Sequence, residues 1–196
     1  MAVKTGERKL QILQAVAAML EQPHGTKITT AALAKRLGVS EAALYRHFAS
    51  KAQMFEGLIE FLEQTLFGLI NKIIQDEKNG LQQARAVLTL LLGFANNNHG
   101  MTRVLTGDVL VNEDERLQRR INQLLDRVES TLKQSLRMAM AQQTLNAATE
   151  VGAYANVLLC FVVGRWHQFA KSDFERDPLE GWAVQMEILL PSSQKS

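Results

Sequence analysis

The sequence holds little that would stop a helix or staple a small fold. Proline occurs three times in 196 residues, at Pro23, Pro178 and Pro191, so helix interiors are left intact almost everywhere. The single cysteine, Cys160, excludes a disulfide framework within the chain and points to a reducing cytosol. No apolar run approaches the roughly 20 residues of a spanning helix. The longest, around Val151–Gly164, contains Asn156 and is closed by Arg165, so it reads as a buried helix. The first residues, MAVKTGERK, have no apolar stretch behind their charges and do not read as a signal peptide. There is no alternating strand pattern, no internal repeat and no low-complexity segment.

Net charge is also small, at +2, but it is unevenly placed. Residues 1–55 carry eight Lys and Arg against three Glu, while the remainder carries fourteen against seventeen acids. A basic head on a mildly acidic body suggests that the head meets a polyanion. A solvated basic surface would give the same count.

What the chain does contain is helical periodicity. Leu10, Leu13, Val16, Ala17 and Leu20 predict a first helix over 7–21, stopped by Pro23 and Gly25. Thr29 or Thr30 can cap a second helix ending at Leu37. Gly38 supplies a tight turn, and Ser40 caps a third helix over 41–48. Ser50 with Gln53 forms a capping box for a long fourth helix carrying Leu58, Leu62, Leu66, Leu69 and Ile73. Further helices are expected over 81–96, 101–106, 112–142, 145–171 and 177–190. The expected fold is all-α. A small head of three helices is expected over 1–50, continued by the fourth helix into a larger all-helical body over 51–196.

The segment ITTAALAKRLGVSEAALYRHFASKAQMF, Ile28–Phe55, carries the function. Two short helices joined by a glycine turn form a helix-turn-helix unit. Leu33, Ala34 and Leu37 face Val39 and Leu44, and Phe48 and Phe55 close the base. Glu41, Ala42, Ala43, Tyr45, Arg46 and His47 are left outside on the third helix. An outer face of small and hydrogen-bonding residues suits a major groove. Tyr45, His47 and Lys51 are spaced to reach one phosphate strand, while Thr29, Thr30 and the amides that follow them can hold another phosphate. On these features alone, an ordinary helical hairpin remains open.

The run Leu33-Ala34, Leu37-Gly38-Val39-Ser40, Leu44-Tyr45-Arg46-His47-Phe48 and Ser50-Lys51 resembles the signature of tetracycline-repressor-type regulators. That resemblance implies nine helices, a DNA-binding head and a two-fold homodimer. It also implies phosphate contacts from Tyr45, His47 and Lys51, with bases read from the start of the third helix. Longer stretches, among them INKIIQDEKNG and LTLLLGFANNNHGMTRVLTGDVLVNEDERLQRRINQLLDRVE, resemble the nucleoid-occlusion branch of that family. Such proteins bind palindromic chromosomal DNA and, in that state, capture the division protein FtsZ and antagonise its polymers. The resemblance implies a cytoplasmic, nucleoid-associated protein and a groove for FtsZ's C-terminal tail around Phe61, Leu90, Gly93 and Asn98. For Leu90 and Phe94, plain core packing is the competing reading. Gly93 is more telling, because a glycine inside a helix costs about 1 kcal/mol.

The seventh helix alternates Arg116, Arg119, Arg120 and Arg127 with acids and reads as a solvated charged face. The eighth is apolar on more than one side, through Val151, Tyr154, Val157, Leu158, Phe161, Val162, Arg165 and Phe169. Such a helix must be covered on both sides. A second subunit is the expected cover, with Tyr154, Leu158, Phe161, Val162 and Arg165 at the dimer interface. His24, His47, His99 and His167 have no metal-ligand spacing, and no phosphate loop or nucleophile motif is present. No enzymatic activity, metal or cofactor is expected. The rival within the DNA-binding class is a ligand-responsive repressor, which needs an apolar pocket in the body. A rival from another class is an enzyme or small-molecule carrier with an incidental helix-turn-helix.

Overall fold

The computed structural model describes residues 5–22 and 28–191; Lys4, Pro23, His24, Gly25 and Lys27 lie outside the described residues. The described residues form nine α-helices and one 3-10 turn, with no strand among them. In order these are α1 (Thr5–Leu20), α2 (Thr30–Leu37), α3 (Glu41–Tyr45), α4 (Lys51–Asp76), α5 (Gly80–Asn97), α6 (His99–Leu105), the 3-10 turn (Asp108–Leu110), α7 (Glu115–Ala141), α8 (Val151–Lys171) and α9 (Trp182–Leu189). None of these helices is long and apolar enough to cross a membrane.

Packing divides the chain into two units that do not follow chain order. The first joins the residues up to Glu63 to Asn98–Ile121, and the second joins Gln64–Asn97 to the residues from Asn122 onward. The head's helices thus share a unit with the start of α4, with α6 and with the start of α7.

Local chemistry explains the first unit's turns. Thr29 is extended, and its side chain accepts a hydrogen bond from the Ala32 amide at 3.1 Å. Ser40 accepts from Ala43 N at 3.2 Å. Each such cap contributes about 1 kcal/mol. Gly38 ends α2 at φ 64°, in the left-handed region that favours glycine. Ser50 accepts from Gln53 N, and Gln53 Oε1 reaches back to Ala49 N rather than to Ser50. Ile12, Val16, Leu33, Leu44, Phe55, Leu58 and Leu62 form the core. α6 packs on α1 at backbone range, because a Cβ on Gly100 would stand 2.2 Å from the Ala17 carbonyl.

In the second unit, the α7 stripe Leu124, Val128, Leu132 and Leu136 is fully buried, as its spacing predicts. α5 packs on α8, and the indole of the wholly buried Trp166 donates to the Leu91 carbonyl at 3.0 Å. Gly80 lets α5 start against α7, where a Cβ would fall 2.3 Å from the Ser135 carbonyl. Inside, the Ser135 hydroxyl donates to Gln83 Oε1 at 3.1 Å, and the Gln83 amide donates to the Ile74 and Glu77 carbonyls, so these buried polar groups are satisfied.

Several expected bounds shift. α3 stops at Tyr45, where Arg46–His47 form a turn closed by His47 N on the Leu44 carbonyl. α8 begins at Val151 because Asn146 turns the chain first, its side chain accepting from Ala148 N. α9 begins at Trp182, after an Asp177 side-chain turn and Gly181 at φ 70°.

Candidate nucleic-acid interface and partner surface

The DNA-reading candidates occupy one corner of the first unit. Glu41, Ala42, Tyr45 and Arg46 are exposed, Ala43 and His47 half-buried, and Leu44 buried beneath them. Tyr45, a large aromatic, stands 46 % exposed on α3 with no core role that would account for it. Nδ1 of His47 is buried and meets no partner among the described residues, so a phosphate contact from His47 must use Nε2. Thr29 is committed to its cap. The Thr30 hydroxyl donates to the Glu41 carboxylate at 2.5 Å, tying the starts of α2 and α3 together. Lys51, the first residue of α4, is engaged as well. Its ammonium donates to Glu113 and sits 5.5 Å from the centroid of the Phe55 ring. Nothing in the sequence signalled Glu113, which lies 62 positions away.

Below Lys51, α4 is clamped to the start of α7. Arg116 pairs with Glu56 at 2.9 Å, and Arg120 makes two bonds to the Glu63 carboxylate, at 2.7 and 3.1 Å. Hydrogen bonding to Glu63 raises the Arg120 pKa above its ordinary value. In the second unit Arg127 lies 3.7 Å over the Phe67 ring. The arginine face of α7 is therefore not simply solvated. Arg119 alone fits that description, pairing with Glu115 at high exposure.

The partner-groove candidates separate by environment. Phe61 is 41 % exposed on α4. Asn98 is half-buried at the N-cap of α6, where its side chain makes no capping bond to the helix amides. On α5, Leu90 and Gly93 lie one turn apart and half-buried, while Phe94 is core at 7 % exposure. A Cβ on Gly93 would meet nothing within 4 Å, so no neighbour within the chain demands glycine there. The Asn97 side chain donates to the Gly93 carbonyl at 2.9 Å. Leu69, expected in the α4 core, is instead 42 % exposed.

The expected dimer residues receive most of their cover from the chain itself. Leu158 and Val162 are wholly buried. Tyr154 donates to the Leu189 carbonyl, and burial pushes its phenol pKa up. Phe161 stacks on Trp182 at 5.8 Å. Arg165 donates to the Asp177, Pro178 and Glu180 carbonyls. Tyr154, Phe161 and Arg165 hold the 177–190 segment against α8. The face of α8 left open is Ala153, Asn156, Val157, Cys160 and Gly164, at helical spacing and without a charge of its own, with Asn156 donating to Glu129 at 3.1 Å. Val157 is 54 % exposed, and a Cβ on Gly164 would meet nothing within 4 Å. On α9, Val184 and Ile188 are 68 and 74 % exposed. Among the described residues no cluster of three His, Cys, Asp or Glu side chains could hold a metal.

The likeness to known proteins covers both units. The family described as bacterial regulatory proteins, tetR family, matches residues 12–58, and the tetracyclin repressor-like C-terminal domain of SlmA-like proteins matches 78–194. The nucleoid occlusion factor SlmA of Marinomonas sp. (strain MWYL1) is 51 % identical over 96 % of this chain and 96 % of its own length. That of Alteromonas mediterranea is 51 % identical over 91 % and 92 %. The chain belongs to the SlmA family of TetR-type proteins. Among solved structures, a TetR family regulator from Agrobacterium tumefaciens superimposes with TM-score 0.81 at 16 % identity, covering 97 % of this chain and 100 % of that one. The MbdR regulator from Azoarcus sp. CIB gives 0.80 at 12 %, covering 97 % and 99 %. At such identities the likeness establishes the fold alone.

Tyr45→Ala is expected to weaken binding about tenfold, to a similar degree on specific and arbitrary duplexes, because a phosphate contact positions without reading sequence. Fluorescence anisotropy across a salt series checks this. Loss on one sequence only would make Tyr45 a base reader.

Proposed function

We propose that the protein is a nucleoid occlusion factor. Its head binds chromosomal palindromes, and the DNA-bound form captures FtsZ and antagonises its polymerisation over the nucleoid. The observation that carries this reading is the 51 % identity to proteins of that name across nearly the whole chain, head and body alike. Such a protein works in the cytoplasm on the nucleoid.

Three assignments follow. The groove-facing surface is Ser40–Ala43 with Arg46, flanked by phosphate donors at Thr29, Thr30, Tyr45, His47 and Lys51. The FtsZ tail meets the α5 face of Leu90 and Gly93, with Phe61 and Asn98 as the further positions given by resemblance. The uncharged α8 face Ala153, Val157, Cys160 and Gly164 packs on a second copy. A palindrome calls for two heads, and two-fold pairing supplies them.

The test is a titration of an FtsZ C-terminal tail peptide against the free and palindrome-bound protein. Saturable binding, tighter with DNA, is expected. No binding in either state would leave the ligand-responsive repressor as the better reading.

A further inference from the structure

The Lys51 ammonium, read above as a phosphate contact, already gives an N–H to Glu113, whose charge offsets its own. The pair is shielded, with side-chain exposures of 24 % and 18 %. Glu113 is held in place on both sides. Before it, the 3-10 turn ends with Glu113 N bonded to the Leu110 carbonyl, and Asn112 takes a left-handed φ of 67° that aims the chain. After it, Asp114 accepts from Arg116 N to start α7, which Glu56 and Glu63 clamp to α4. A phosphate drawing Lys51 away would thus leave Glu113 behind, half-desolvated and without its cation.

We propose that Glu113 is an intramolecular competitor of the DNA phosphate for Lys51, and so tunes the affinity of the head. This rests on the reading of Lys51 as a phosphate contact. Thr30, another phosphate candidate, is held by a carboxylate in the same manner through Glu41. The free head therefore keeps two of its donors on its own acids, and DNA must displace them. Because the Lys51 exchange swaps one anion for another, the competition lowers affinity on every sequence alike. It leaves the choice of site to the α3 face.

The test is a double-mutant cycle on a short duplex of arbitrary sequence, read by anisotropy at low salt with thermal melting to verify folding. Glu113→Gln should bind about three- to fivefold more tightly, the range of a partly exposed ion pair. Lys51→Met should bind more weakly. The double variant should match Lys51→Met, because without the ammonium there is nothing to compete for. Should Glu113→Gln fold poorly, Glu113→Asp, which withdraws the carboxylate by one methylene, should still bind more tightly than wild type. A Lys51→Met variant that weakens while Glu113→Gln stays at wild-type affinity overturns the competition alone. A gain that persists in the double variant overturns it too, in favour of general repulsion. Wild-type affinity in Lys51→Met removes the phosphate role itself and the competition with it.

Discussion

Val157→Asp is expected to give folded monomers whose affinity for a palindromic site falls by about a hundredfold or more. The expectation follows from where α8 is open. Val157 is 54 % exposed within the chain, so a carboxylate there is solvated in the monomer and costs the fold little. Across a two-fold seam the same carboxylate would be dry and unpaired, which is strongly unfavourable. Losing the second head turns an intramolecular second contact back into a bimolecular one, and linkage of this kind is worth about 10² to 10⁴ in affinity. Leu158→Asp is the control. Leu158 is wholly buried in its own chain, and the charge should unfold the protein rather than dissociate it. Light scattering and circular dichroism separate the two outcomes. An intact Val157→Asp dimer would move the seam away from α8.

Gly93→Leu is expected to abolish binding of the FtsZ tail while making the protein more stable. A Cβ on Gly93 meets nothing within 4 Å, and replacing a helix-interior glycine recovers up to about 1 kcal/mol of helix propensity. A side chain projecting there would stand where a docked peptide must lie. Stability and partner binding therefore move in opposite directions, which a general packing defect cannot produce. Operator binding should be unchanged, since α5 carries no head residue. Normal peptide binding by this variant would move the tail off the α5 face. A lowered melting temperature would show that Gly93 serves the fold.

The parts of the structure legible in the sequence were those fixed by near neighbours. Thr29, Ser40 and Ser50 cap helices through bonds to amides three residues on or fewer, so residue type and spacing suffice. The α7 stripe shows because a single buried face leaves a period of its own. α8 is different: a helix apolar nearly all round carries no directional signal. The cover that Phe161 and Arg165 find in 177–182 could not be distinguished from cover by another subunit. Leu69 matched the α4 period and still ended exposed, because the buried stripe runs on from Leu66 to Ile70 and leaves Leu69 to one side. The Lys51–Glu113 and Arg120–Glu63 pairs bridge 62 and 57 positions, and no local pattern encodes them. The signature around Tyr45 revealed the head but not that its donors rest on the chain's own acids.

Palindrome-bound protein is expected to dissolve FtsZ polymers. Sedimentation of FtsZ polymerised with GTP measures it, with the protein added alone, with its selected palindrome, and with a scrambled duplex of equal length. The pelleted fraction of FtsZ should fall when protein and palindrome are both present, and change little with either one alone or with the scrambled duplex. An undiminished pellet in the presence of protein and palindrome, at concentrations where the palindrome is saturated, would contradict the account.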